Sequence, residues 1–339
     1  MPSRLGLDQE WLVLCLSYPA AMKRDEGSLA QCLLESRQDP ARALARIASR
    51  DDVRVLALGE NHVSLNPYRR LVASLLPGLA ERGTRWLALE LPQQYQEVLE
   101  SFGQGHVGRD ELAERLCDAG ASLFVHPPQA EPPERAVPCR YYFDLLTTAR
   151  DCGLRLVAVD KDRGRGNELW YSRRYANTPR DEFMAQRIIS CLESDAGGKL
   201  VFWGGSNHIY VRPHPLQSGC LTMGEALAAY LALQGQRAYS VATVLPLVPG
   251  ARSPDLSFKP LLALAPDVPE PTLIPTRCHE GLSELVLGSE RRCPWGSCEP
   301  GCPGLKLGVC QAGAEMAHPV KLAYWDAVIV DSPDRRNAA

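Results

Sequence analysis

Nothing in the sequence is long and apolar enough to cross a bilayer as a helix: every apolar run meets a charge or a proline within about a dozen residues, against the ~20 required. An excess of one charge is missing too. The 37 Lys and Arg and 40 Asp and Glu leave a net charge of -3, spread along the chain, and so no basic face for nucleic acid or an anionic membrane. Solenoid-type repeats are absent. The apolar stretch Trp11–Leu16 lacks the basic flank of an export signal, because Asp8 and Glu10 stand there instead. These absences set the expectation of a cytoplasmic protein without a membrane span, whose partner is a small-molecule substrate and not nucleic acid.

What is present is an ordinary globular mixture, 45% hydrophobic and 23% charged. At 339 residues the chain exceeds the roughly 250–300 residues at which a single core stops growing, so a large domain with an appendage, or two domains, is expected. From Val53 onward short apolar runs alternate with amphipathic stretches, the pattern of an α/β fold with a mostly parallel open sheet flanked by helices. The runs Val53–Leu58, Trp86–Leu91, Leu123–Val125, Leu154–Val159, Leu200–Trp203 and Ser240–Leu245 read as strands. Helices are expected at Tyr68–Arg82, Gln93–Phe102, Arg109–Ala119, Tyr141–Cys152, Arg180–Glu193 and Met223–Gln234, closed by Gly83, Gly103, Gly120, Gly153 and Gly235.

The expected organisation is a helical segment at 1–50, restarted at Asp39-Pro40 with proline in a first turn, then an α/β core over 51–250. A Pro/Gly/Cys-rich insertion follows at 251–319, and the apolar run Asp326-Ala-Val-Ile-Val within 320–331 returns as an edge strand of the same sheet. The proline-dense stretch from His126 to Cys139 reads as an extended loop placed to act as a lid.

In open parallel sheets the ligand crevice lies at the carboxyl ends of the strands, so polar residues directly after apolar runs carry the chemistry. Here the runs end in Gly59-Glu60-Asn61-His62, Leu89-Glu90-Leu91-Pro92, Val159-Asp160-Lys161-Asp162 and Trp203-Gly204-Gly205-Ser206-Asn207-His208. Two histidines and two glutamates thus converge on one rim. A near-neutral histidine takes a proton from water, and a neighbouring carboxylate orients the ring and stabilises the imidazolium. The same four side chains, Glu60, His62, Glu90 and His208, are equally suited to hold a divalent metal that acidifies bound water. Arg180 is a candidate for binding an anionic group or for a structural ion pair. Asp160, Lys161 and Tyr171 are further candidate substrate-binding residues.

With these residues the sequence resembles the superfamily that unites erythromycin esterases, ChaN-type haem-binding lipoproteins and Tiki metalloproteases. The matching segments are Gly59–His62, Leu87–Pro92, Arg180–Ala185, Val201–His208 and Met223–Leu227, in that order between Val53 and Leu245. The resemblance implies that His62 is a general base or metal ligand, that Glu60 and Glu90 orient water or metal, and that His208 completes the cluster. Erythromycin esterases space the first glutamate and histidine one residue wider and carry a histidine where Gly205 stands. The spacing here is closer to the ChaN and Tiki pattern.

Twelve cysteines divide into two groups. Cys15, Cys32, Cys117, Cys139, Cys152, Cys191 and Cys220 lie singly in helix-like stretches and read as small buried hydrophobes. Cys278, Cys293, Cys298, Cys302 and Cys310 cluster in the insertion, and Cys293-x4-Cys298-x3-Cys302-x7-Cys310 offers four thiolates for a structural zinc, with disulfides or free thiols as the other outcomes. The expectations for function are, first, a hydrolase of an ester, amide or related bond. Second stands a non-enzymatic haem- or metal-binding protein, and third a biosynthetic enzyme or effector with altered chemistry on the same fold.

Overall fold

A computed structural model describes residues 35–60, 68–118, 132–161, 178–211, 221–244, 272–276, 286–291, 316–321 and 325–330. Nine strands and seven helices lie within them. In chain order they are α1 (Pro40–Ala48), β1 (Val53–Glu60), α2 (Tyr68–Glu81), β2 (Thr84–Pro92), α3 (Gln96–Gly103), α4 (Arg109–Asp118), α5 (Pro132–Asp151), β3 (Arg155–Asp160), α6 (Thr178–Ser194), β4 (Lys199–Gly205), α7 (Met223–Ala232), β5 (Arg237–Val244), β6 (Thr272–Pro275), β7 (Val286–Arg291), β8 (Met316–Lys321) and β9 (Ala327–Val330).

Seven of the strands form one sheet in the order β3-β2-β4-β1-β5-β9-β6, parallel throughout except for β6, which runs antiparallel to β9. The expected α/β class is therefore the one observed. Helices cover both faces, which is why all eight residues of β1 are buried and its sequence shows no polar alternation. The period of two survives in where the side chains go. Leu56, Leu58, Leu87, Leu89 and Trp203 pack with Leu44, Leu76, Leu99 and Leu145 on one face. Val55, Ala57, Trp86, Ala88 and Phe202 pack with Met184, Ile188, Leu227 and Leu231 on the other.

Local chemistry sets the element ends. The Asp39 carboxylate caps α1 by accepting from Arg42 N at 2.7 Å, with Pro40 in the first turn, as Asp39-Pro40 led one to expect. Gly83, Gly153 and Gly235 have φ of 90°, 72° and 68°, the left-handed geometry that stops a helix at low cost in glycine. After α3 that role belongs to Gly105, φ 79°, because Gly103 is still helical.

The structure corrects two expectations. Residues 132–139 are helix, not loop: Pro132 and Pro133 occupy the first turn of α5, where a missing amide hydrogen costs nothing, and only Pro138 interrupts the ladder. The returning run is also not an edge. β6, from within the expected insertion, pairs outside β9 and ends in Pro275, a residue suited to an edge strand. β7 and β8 pair antiparallel as a separate two-stranded sheet. Leu123–Val125, Gly120 and the cysteines 278, 293, 298, 302 and 310 lie outside the described residues. Cys152 and Cys191 are free thiols, and both are half-buried rather than fully buried, packed at the margins of the two clusters.

One buried cation ties β1 to the helix on its far side. Arg54, 6% exposed, donates to the carbonyls of Gly198 at 3.0 Å, Ala196 at 2.7 Å and Asp195 at 3.2 Å, and to Gln236 Oε1 at 3.3 Å. The carbonyls follow the last turn of α6, so the guanidinium both satisfies them and opposes the negative end of the helix dipole. Replacing Arg54 by Met leaves those carbonyls unpaired and is expected to cost about 2–3 kcal/mol of unfolding free energy, read as a lower denaturation midpoint in urea.

Candidate functional site

The site is built from the carboxyl ends of β2, β3 and β4 and the first turn of α6. Glu90 leaves β2 on the face of Ala88, next to Gly204 on β4. A Cβ at Gly204 would lie 2.8 Å from Glu90 Cβ and 3.0 Å from Glu90 Oε2, so the carboxylate occupies the space that glycine leaves empty. The Gly205 amide then donates to Glu90 Oε2 at 2.6 Å.

Arg180 joins the strand ends. Its Nε and Nη2 donate to the two oxygens of Asp160 at 2.6 and 2.7 Å, a bidentate pair, and Nη2 also donates to Glu90 Oε1 at 2.6 Å. Asp160 Oδ1 accepts from the Lys161 amide as well, at 2.8 Å. Burial works against the Arg180 charge, but Glu90 and Asp160 outweigh it and hold the guanidinium more firmly protonated than usual. Breaking one member of such a buried group leaves an uncompensated charge.

His208 lies in a short 3-10 turn, Ser206–Ile209, that folds back over β1. Gly59 permits this approach, since a Cβ there would come within 2.7 Å of Ser206 Cα. The ring is gripped from both sides. Nδ1 is 2.7 Å from Asp181 Oδ1, while Nε2 is 3.2 Å from Arg180 Nη1 and 3.3 Å from Glu90 Oε1. Asp181 is itself held by the Met223 amide, 3.2 Å from its Oδ2, at the start of α7. Burial disfavours the imidazolium, yet the charges of Asp181 and then Glu90 outweigh it against the opposition of Arg180, and the pKa is pushed up to about 10. Two proton arrangements fit these contacts. A neutral ring donates from Nδ1 to Asp181 and accepts from Arg180; an imidazolium keeps the first bond and turns Nε2–H to Glu90.

Of the residues singled out in the sequence, Glu90, His208, Arg180 and Asp160 meet here. Lys161 contributes its backbone amide, and its side chain is exposed. Glu60, 2% exposed, ends β1 opposite Gly205. It continues the parity of Leu56 and Leu58, so the two glutamates leave the sheet toward opposite faces and share only the rim. His62 and Tyr171 lie outside the described residues. The member of this group that sequence reasoning passed over is Asp181, which meets His208 across 27 residues of chain. Its position directly after Arg180 in the matching segment was the available signal.

A divalent cation held jointly by Glu90 and His208 would face the Arg180 guanidinium, whose nitrogens lie 2.6 and 3.2 Å from the same two atoms. Among the described residues no group of three or more His, Cys, Asp or Glu is placed to hold a metal ion. The described part of the site thus fits a guanidinium at this point and not a metal.

The raised pKa of His208 makes a pH-dependent contribution to stability. A group whose folded pKa exceeds its unfolded value of about 6.5 stabilises the fold fully below that value, and the contribution is lost as pH rises toward about 10. Asp181→Asn removes the leading opposite charge, so the His208 ring is expected to titrate at lower pH by NMR. The decline in thermal stability between pH 6.5 and 10 should shrink with it.

No protein-family model matches the chain, and no curated protein matches it in sequence. Solved structures do. A succinoglycan biosynthesis protein superimposes with a TM-score of 0.58 at 11% identity, over 93% of this chain and 98% of that one. A Bacillus cereus protein gives 0.55 at 12%, over 91% and 97%. An erythromycin esterase mutant in its open conformation is also similar, at 0.44 and 14%, over 85% and 92%. The chain shares its architecture with the first two along nearly their whole length.

Proposed function

We propose that the chain is a hydrolase-type enzyme that cleaves an ester, amide or related bond of a small molecule at the rim formed by β1, β2 and β4. The observation that carries this reading is the buried group Glu90–Arg180–His208–Asp181, which holds an ionisable ring in a fixed orientation at the edge of the sheet where open α/β folds bind ligands.

In this reading His208 is the acid. Its ring is fixed by Asp181 and held protonated at neutral pH, so Nε2–H can be passed to a departing oxygen or nitrogen. Arg180 then stabilises the neutral ring by donating to Nε2. The base that takes a proton from water is assigned to His62, two residues beyond the end of β1 in the sequence, with Glu60 as its supporting carboxylate. The proton gained by His62 and the one lost by His208 balance over a turnover. Asp160 and Arg180 bind each other at both oxygens, so the role left for them is to position Glu90 and His208 rather than to take hold of substrate.

His208→Asn and His62→Ala are each expected to lower kcat on a responsive ester or amide substrate by about 100-fold or more, the usual range for losing a general acid or base, with the melting curve retained. Full activity in both variants rejects the assignment. Elemental analysis of the same preparations tests the metal expectations: stoichiometric metal lost on His62→Ala would transfer water activation from acid–base chemistry to a Glu60–His62 metal site.

A further inference from the structure

The turn that carries His208 does not hold itself in place. Its N-cap position, Gly205, offers no side chain, and the turn is a single short 3-10 segment. One of the contacts that fix it is local, from Tyr210 to Asn207, and the others come from elsewhere in the chain. Thr222 Oγ1 donates to the Tyr210 carbonyl at 2.8 Å, and Tyr210 Oη donates to Asn207 Oδ1 at 2.9 Å. The third contact comes from the far end of the sequence. Trp325, fully buried, donates its indole Nε1–H to the Ser206 carbonyl at 3.0 Å and lays its ring against Tyr210 at 5.2 Å between centroids.

We propose that Trp325 is a positioning residue for His208, acting through the Ser206 carbonyl, an inference that rests on the role given to His208 above. Packing alone does not account for the choice of residue, because a phenylalanine would supply the apolar contact with Tyr210. The indole adds one donor, aimed at a carbonyl that closes the histidine's own turn.

Trp325 is in turn fixed by the strand it introduces. The Thr276 hydroxyl donates to the Trp325 carbonyl at 2.6 Å, and the Thr276 amide donates to the Asp326 carbonyl at 3.0 Å. Asp326 accepts from the Ser240 amide and from Arg237 Nη2, both at 3.0 Å, which anchors it to β5. Thr276 and Trp325 are the residues on either side of 277–324, the stretch that contains the clustered cysteines. The two ends of that stretch are bonded to each other, and one of them is bonded to the His208 turn.

The test reads His208 directly and needs no substrate. In the full chain the Nδ1–H proton shared with Asp181 is expected as a low-field proton NMR resonance, assigned by its loss in His208→Asn. Trp325→Phe keeps the ring and removes the donor. The expected result is loss or a clear shift of that resonance, with a circular dichroism spectrum that shows a folded protein. Should Trp325→Phe fail to fold, benzothienylalanine at position 325 keeps the indole shape and replaces only N–H by sulfur. An unchanged His208 resonance in a folded variant of either kind overturns the proposal. Absence of hydrolytic activity in the wild type would overturn the functional reading while leaving this result to stand by itself.

Discussion

The candidate site depends on one guanidinium. Glu90, Asp160 and Asp181 are 5%, 0% and 7% exposed, and three carboxylates that far from water cannot all stay ionised without compensating charge. Arg180 provides it for two of them directly. It also explains why the ends of β2 and β3 and the start of α6 meet where they do: a planar donor bound at both oxygens of Asp160 and at Glu90 tolerates little relative sliding of the three elements. The opposite end of α6 is held by Arg54. A helix of 17 residues fastened at one end by a buried arginine and at the other by a half-buried one has little freedom along its axis, and its first turn carries both Arg180 and Asp181.

Sheet topology does the rest. The strand order puts β4 between β2 and β1, so Gly204 and Gly205 form the floor between the two glutamates. The two glycines act differently on Glu90. One leaves room for the Glu90 carboxylate, and the other presents its amide to it. The opposite parity of Glu60 and Glu90 places their side chains on different faces, so a ligand in contact with both has to lie across the edge of the sheet and not on either face of it.

Much of this was legible from the residues. Apolar runs that end abruptly in Glu, Asp or His give both the strand and its functional end, and that is how Glu90, Asp160 and His208 were found. Four of the strands proved two or three residues longer than the apolar runs, and β3 equally long but shifted by one, because Glu60, Asp160 and the glycines of β4 extend the ladder while breaking the hydrophobic pattern. The partnership of Asp181 with His208 was not legible, since it depends on how the first turn of α6 meets a turn 27 residues later. Proline density misled at 132–139, where the count of prolines said loop and their position in the first turn allowed helix. β6 escaped notice because four residues between Pro271 and Thr276 are too few for a periodicity to show.

The proton on His208 decides what the other half of the site must do. With Asp181 at Nδ1 and Glu90 near Nε2, the ring is a poor acceptor at neutral pH, and burial is not enough to reverse that. In the proposed reading the ring therefore serves as the acid and leaves the base to another group. That base is a group that is neutral or anionic when substrate arrives, and the one assigned is His62, two residues after Glu60 in the sequence. In the proposed reading the labour is divided between an acid on the turn after β4 and a base drawn from the segment after β1, with the glycines of β4 between them.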